Sequence, residues 1–409
     1  MQKLQFPENF LWGVATSSYQ IEGGNFNSDW WEWEKAGKTE GKTGKACDYW
    51  NRYKEYHDLL EELGVKFFRL SVEWSRIEPE EGKFSKEAIE HYREILQDIK
   101  KRNVKIQLTL WHWTSPVWFQ KKYGFHKKGS AKVFTRYVEK IVKEFGNLID
   151  MYITFNEPMV PLGMGYLTGA FPPGCRNPFK FYAALGNMAK AHNESYRIIH
   201  DVKPDTKVGI TFLYNWYESK GLGILLDAIN KITQWYRIDF FGNKIKNFQD
   251  YIGIDYYRLG KIRFSLRNLK LDARNQNYFG FTIDEDKNNV MRWISYPEGF
   301  YYVLKEAWEK YKLPIYVAEN GMPTRKGLED EERVKFMKEH LAFLHKAIED
   351  GVDVRGYNYW SLMDNFEWLY GVGPRFGLVE MDFENIKHEK RKSFYEYAKI
   401  CRSNEVESE

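Results

Sequence analysis

Cysteine is almost missing from this 409-residue chain: Cys47, Cys175 and Cys401 are an odd number without paired spacing. That excludes a disulfide-stapled scaffold and a cysteine-ligated zinc site, and the three are read as reduced thiols. No segment approaches the ~18 uninterrupted apolar residues of a membrane-spanning helix. The opening stretch MQKLQFPENFLWG lacks the apolar core of a secretory signal, so a cytoplasmic location is expected. An excess of one charge is lacking too. With 61 basic against 57 acidic residues the formal charge is +4, too small a footprint for nucleic acid or an anionic membrane. There is no His pair with carboxylates at metal spacing, no G-x-S-x-G elbow and no glycine-rich phosphate loop. Metal-assisted hydrolysis, serine acyl transfer and nucleotide chemistry therefore lack their usual parts, and no cofactor or metal is expected.

Aromatic residues are abundant, at 17% with 15 tryptophans. That is more than a core needs and suits a surface that recognises flat apolar faces such as those of sugars. Short apolar runs of the buried parallel-strand type occur at Phe10–Val14, Val65–Val72, Val104–Trp111, Met151–Phe155, Val208–Leu213, Tyr251–Tyr257, Ile315–Ala318 and Val354–Trp360. Amphipathic stretches lie between them at Tyr49–Leu63, Lys86–Lys101, Ala131–Phe145, Phe179–Val202, Glu298–Tyr311 and Asp330–Glu349. The clearest places Val133, Phe134, Tyr137, Val138, Ile141, Val142 and Phe145 on one face. Eight strands with helical crossovers favour a closed (β/α)8 TIM barrel of the α/β class. No linker or composition step interrupts the chain, so residues 1–409 read as one domain. Residues 215–250 show no clean period. Residues 258–274 alternate Ile262, Phe264 and Leu266 with basic side chains, which suggests strand-like structure over the site, a basic contact patch or a solvated hairpin.

In a parallel barrel the C-terminal ends of the strands share one mouth, where catalysis belongs. Polar residues end these runs in number: Arg69 and Glu73, His112 and Trp113, Asn156 and Glu157, Asp255 and Tyr257, Glu319 and Asn320, and beyond Trp360 the residues Asp364, Asn365, Glu367 and Trp368. Carboxylate chemistry is what such a mouth can do. Glycoside hydrolysis needs one carboxyl to protonate the departing oxygen and a second to attack or stabilise the anomeric carbon. Glu157 and Glu319, from the fourth and seventh strands, can meet across the mouth. The bland alternatives are a hydrogen-bonded core histidine at His112 and core tryptophans at Trp360 and Trp368. Glu367 is harder to place in a core, since a carboxylate between Phe366 and Trp368 needs a polar partner. Lys121, Lys122, Lys127 and Lys128 read as a solvated loop face.

Five ordered segments resemble glycoside hydrolase family 1, the β-glucosidase and β-galactosidase family. TFNEP (Thr154–Pro158) and AENG (Ala318–Gly321) resemble its acid/base and nucleophile motifs, and FLWGVATSSYQIEG (Phe10–Gly23) its N-terminal signature. FRLSVEWSRI (Phe68–Ile77) resembles its second strand, and YWSLMDNFEW (Tyr359–Trp368) with RFGL (Arg375–Leu378) its last strand and loop. SDWWEWEKAGK (Ser28–Lys38) is similar to archaeal-type members, and the region between the fifth and sixth strands is short for the family, which leaves the leaving-group preference open. The resemblance implies a retaining β-glycosidase, foremost a β-glucosidase with β-galactosidase and β-fucosidase side activity. Glu157 would be the acid/base and Glu319 the nucleophile. Gln20, His112, Asn156, Glu367 and Trp368 would bind the hydroxyls of the terminal sugar over Trp360 as platform. Arg69 and Tyr257 would contact Glu319 and favour its ionised form, while Glu157, facing a carboxylate, would keep its proton. Partners would be small β-glycosides or short oligosaccharides. The alternatives are a 6-phospho-β-glycosidase, whose phosphate Glu367 would repel, and a non-catalytic carbohydrate-binding barrel, which would not need both glutamates. Asp255 stands where the family usually carries Asn, and Ala318 where Thr is frequent. The first departure adds an ionisable group to the site.

Overall fold

The computed structural model describes residues 2–219, 238–264, 271–272, 277–278, 281–283, 286, 289–325 and 327–408. Eight parallel strands close into a barrel: β1 (Leu11–Ala15), β2 (Phe67–Ser71), β3 (Lys105–Thr109), β4 (Met151–Ile153), β5 (Lys207–Leu213), β6 (Tyr251–Tyr256), β7 (Ile315–Asn320) and β8 (Val354–Trp360). They follow one another in sequence order around the wall, and the ring closes where β8 pairs with β1. Each lies within or overlaps one of the eight apolar runs of the sequence. Those runs are continuously apolar because helices outside and packed side chains inside bury both faces.

The described helical crossovers are α1 (Tyr49–Leu63), α2 (Lys86–Lys101), α3 (Ser130–Phe145), α4 (Pro178–Val202), the short α5 (Phe240–Ile245), α6 (Pro297–Tyr311), α7 (Glu331–Glu349) and, after the last strand, α8 (Lys392–Ser403). In α2 the Ser85 hydroxyl accepts the Ala88 N–H at 3.1 Å and starts the helix. Ala88, Ile89, Tyr92, Ile95, Leu96 and Ile99 form its buried face, and Lys100 and Lys101 complement the dipole in the last turn. All seven apolar residues expected on the inner face of α3 are buried. In α4, Pro178 opens the helix and the Asn177 side chain caps it through the Lys180 N–H at 3.0 Å.

Sequence periodicity gave no sign of α5 within residues 215–250, because its six residues are less than two turns. Residues 220–237 of that region lie outside the described residues. Of the 258–274 stretch, Leu259–Phe264 is a strand, as its alternation implied. It pairs in parallel with Trp216–Ser219 and joins a five-stranded sheet beside the barrel. Residues 265–270 and 273–276 are outside the described set. A separate antiparallel pair joins Gln2–Gln5 to Glu405–Ser408. None of the three cysteines is in a disulfide. Among the described residues no helix is long and apolar enough to cross a membrane.

The inside of the barrel carries a polar floor. Gln107 donates to the Tyr251 hydroxyl at 3.1 Å, Tyr251 donates to the Tyr152 carbonyl at 2.9 Å, and Asn358 reaches the Gln107 carbonyl oxygen at 3.4 Å. The same interior holds Arg69 of β2, with no exposed side-chain surface.

Candidate active site

β2 carries Arg69 inward, and the partners of its guanidinium among the described residues come from β7 and from the segment after β4, neither of which pairs with β2. One Nη donates to a carboxylate oxygen of Glu319 on β7 and, at 3.2 Å, to the Ala318 carbonyl; the other Nη donates to the Asn156 side-chain oxygen beyond β4. The second Glu319 oxygen accepts the Tyr257 hydroxyl at 2.5 Å. Both donors expected for Glu319 are therefore in contact with it. Burial opposes the charge of Arg69, but the carboxylates of Glu319 and Asp255 outweigh it and hold the guanidinium protonated. Burial, together with the nearby Glu319 charge, pushes the Tyr257 phenol well up, so it remains a donor.

Glu157 follows Asn156 at the end of β4 with a left-handed backbone, φ 42°. Trp113 and Trp368 share this conformation, at φ 73° and 48°. Bulky residues enter it at a cost of about 1–3 kcal/mol each, which the surrounding packing must offset. The Glu157 N–H donates to the Thr211 hydroxyl at 3.1 Å, and that hydroxyl donates to Asn156 at 2.8 Å. Neither bond uses the Glu157 carboxyl, whose Oε1 has no hydrogen-bond partner among the described residues. Burial first, then the charges of Asp255 and Glu319, raise the Glu157 carboxyl well above the usual range, against the pull of Arg69. It is a buried acid that keeps its proton.

Oxygens of Glu157, Asp255 and Glu319 lie within 4.8 Å of one another. Retaining glycosidases hold their two carboxyls about 5–5.5 Å apart, whereas inverting ones need about 6.5–9.5 Å for an intervening water. The spacing found is on the short side of that divide.

Above the carboxyls opens a cavity of about 470 Å³. Glu157, Glu319, His112, Asn156, Trp360, Glu367 and Trp368 are on its wall. Gln20 is not on that wall. It is fully buried behind Glu367, donating to the Phe366 carbonyl at 2.8 Å and to Asn365 at 3.0 Å, with Glu367 Oε2 at 3.5 Å. Burial, with the Glu319 charge second, pushes Glu367 up to about 8. His112 receives the Asn156 amide at 3.2 Å and leaves Nδ1 unpaired. Burial and Arg69 drive its pKa well down, so the ring is neutral. It stacks near Trp360 and Trp368 with centroids 6.1 Å from each, and Trp113 and Trp30 wedge Trp368 at 4.8 and 4.6 Å.

Other polar strand ends support the mouth without reaching it. Glu73 caps the short helix Trp74–Ile77 through the Ser75 N–H at 3.2 Å and accepts the Thr114 hydroxyl at 2.8 Å. Asn320 donates to the Tyr256 carbonyl at 2.6 Å. Asp364 takes both Nη groups of Arg391 at 2.9 Å, and both side chains are wholly buried. The lysines 121, 122, 127 and 128 are exposed or nearly so, as a solvated loop requires. The sequence reading missed the outer wall: Met159, Met164, Leu167, Phe171, Met291 and Trp293 give it an apolar character. Met159 lies in the one-turn helix Met159–Leu162, Met164 and Leu167 in the π-helical segment Gly163–Thr168, and the others outside helices and strands, so none belongs to an element long enough to show a period. Thr211 was within reach, as a lone hydroxyl inside an apolar strand.

The chain matches the profile described as "Glycosyl hydrolase family 1" over residues 2–242 and 241–406. "Beta-glucosidase A" of Thermotoga maritima is 31% identical over 452 aligned residues, covering 100% of both chains. Among solved structures, a "beta-glycosidase from Pyrococcus horikoshii" superposes with a TM-score of 0.90 at 39% identity, over 100% of this chain and 97% of that one. The "Beta-glucosidase from Thermotoga maritima in complex with glucoimidazole" gives 0.90 at 28% identity, over 98% and 99%.

Proposed function

Because the chain belongs to glycosyl hydrolase family 1 and is a β-glycosidase of that family, we propose that it removes terminal β-D-glucosyl residues with retention of configuration, through a covalent intermediate on Glu319. The observation that carries this reading is the pairing of one carboxylate held by two donors with a second, buried carboxyl whose Oε1 is unpaired and which has an oxygen within 4.8 Å of it.

In the first step a Glu319 oxygen forms a bond to the anomeric carbon. The glycosidic C–O bond breaks with its electron pair going to the leaving oxygen, which takes the Glu157 proton. Arg69 and Tyr257 donate to Glu319 and fix its orientation until then. Once Glu319 is esterified its negative charge is gone, one cause of the raised Glu157 pKa disappears, and Glu157 can accept a proton from the attacking water. The sugar leaves with its original configuration and Glu319 is freed.

His112, Asn156, Glu367 and Trp368 bind hydroxyls of the terminal sugar, with Trp360 as the flat platform. Gln20 contributes through Glu367, whose carboxyl it holds, and reaches the sugar itself only if the bonded sugar draws it forward. The protonated Glu367 of the empty site can donate to a hydroxyl as well as accept, which suits a neutral sugar and not a phosphorylated one. The apolar outer wall favours a leaving group with an apolar body, such as an aryl or alkyl alcohol, over a second sugar.

The test is hydrolysis of a panel of p-nitrophenyl β-glycosides with proton NMR on the first-formed sugar. The β-anomer of glucose should appear first. An initial α-anomer would overturn retention, and no release from any β-glycoside would overturn the hydrolytic reading in favour of a binding barrel.

A further inference from the structure

Asp255 is a third carboxyl in a site whose chemistry needs two. It sits on β6 opposite Glu319 of β7 in the strand register, has no exposed surface, and neither of its oxygens has a hydrogen-bond partner among the described residues. The donors near it are committed elsewhere. From β5, the Thr211 hydroxyl sends its one proton to Asn156 and receives the Glu157 N–H. From β2, both Nη groups of Arg69 go to Glu319, Ala318 and Asn156. Tyr257, just past the end of β6, donates to Glu319. His112 beyond β3 is neutral. Among the described residues Arg69 is the cation whose charge acts on both Glu157 and Asp255, and its guanidinium is already bonded to Glu319.

Resting on the acid/base role given to Glu157, we propose that Asp255 is a positioning residue for that group: the two carboxyls share protons, and Asp255 donates its own O–H to the Glu157 carboxylate created when the leaving group departs. The unpaired Glu157 Oε1 is the acceptor such a bond requires. In the resting site both carboxyls carry protons, since a second carboxylate would be buried without a counter-charge. When the Glu157 proton moves to the glycosidic oxygen, the Asp255 proton stays within the pair and offsets the new charge. Water later returns a proton to Glu157. No proton is gained or lost by the pair over the cycle.

Such a pair titrates in two macroscopic steps that belong to both groups. Burial and the charges of its neighbours raise both carboxyls together. At alkaline pH the first proton leaves the pair, and the remaining one is shared and held by the like charge beside it. Activity that depends on a proton at Glu157 should therefore fade over a broad pH range.

The experiment compares the pH dependence of kcat/KM for p-nitrophenyl β-glucoside in the wild type and Asp255→Asn, whose amide keeps shape and a donor but cannot titrate. The variant should show a one-proton basic limb ending at least about one pH unit lower, because the Asp255 charge no longer holds the Glu157 proton. A structural role alone would scale the whole profile without moving the limb, and coincident limbs overturn the proposal. Infrared difference spectra at pH 7 read the same point without activity. A protonated-carboxyl band present in the wild type and lost in Asp255→Asn is expected, and its absence from the wild type overturns the proposal. Asp255→Ser serves both measurements if the amide variant does not fold. A wild type inactive on every β-glycoside would instead sink the proposed function and leave the infrared result standing.

Discussion

Replacing Arg69 by Met roughly keeps the volume of the side chain and removes the buried positive charge that bonds Glu319 and acts on Glu157 and Asp255. The Arg69 and Glu319 side chains are 0% and 5% exposed, so solvent screens the pair little. Breaking a buried ion pair by deleting one partner costs about 3–5 kcal/mol, because the other charge is left uncompensated. Unfolding entropy near 2.1 cal/mol/K per residue gives a 409-residue chain about 0.9 kcal/mol/K, so the midpoint of thermal unfolding should fall by about 3–6 °C. Two further measurements separate this account from simple misfit. The double variant Arg69→Met with Glu319→Gln removes both charges and should recover most of the loss, giving a coupling energy of about 2–3 kcal/mol in a cycle. Acid should also narrow the gap. The folded variant needs protons where it lacks the guanidinium, so it binds more of them than the folded wild type, and the stability difference should shrink between pH 7 and pH 5. Urea unfolding at the two pH values checks this. Additive single losses, or a gap that does not change with pH, would refute the assignment of Arg69 as counter-charge of the cluster.

Glu157→Ala should lower kcat/KM about 10²–10⁴-fold for an alkyl glucoside, whose leaving oxygen needs a proton. The loss should be far smaller for 2,4-dinitrophenyl glucoside, which leaves unaided, and stopped-flow release of the two alcohols distinguishes the cases. Asp364→Asn, far from the carboxyls, breaks the wholly buried pair with Arg391 and should cost about 3–5 kcal/mol of stability by urea unfolding. Its kcat on folded protein should change less than its stability.

How much of this could be read from the chain depends on what made each part regular. The barrel strands were legible because burial on both faces forces unbroken apolar runs such as VKFFRLSV and VRGYNYW. Long helices were legible where one face is covered, as in α3. α8 carried the same signal, with Phe394, Tyr397, Ala398 and Ile400 buried on one side, but it follows the last strand, where no further crossover is required. The carboxyls were legible from their strand-end positions, and the contacts of Arg69 and Tyr257 with Glu319 matched expectation. The placement of Gln20 behind Glu367 was not legible, because it depends on how the loop after β8 folds back. That loop is fixed by the Glu367 N–H donating to the Gly371 carbonyl at 2.6 Å. Gly371 has φ 59°, and a Cβ there would strike the Glu40 carbonyl. The apolar outer wall was equally hidden, since Met159 and Met164 lie in helical segments of four and six residues, and Met291 and Trp293 outside any helix or strand, too short or irregular for periodicity to report their contacts.

The antiparallel pair between Gln2–Gln5 and Glu405–Ser408 bears on the order in which the chain can assemble. The first strand of this pair cannot form until Glu405–Ser408 are available, and β1 depends likewise on β8. Contacts of such sequence separation slow folding and leave unpaired strand edges exposed in the meantime. Closing the barrel therefore joins Leu11–Ala15 to Val354–Trp360, a pairing that local contacts alone cannot bring about.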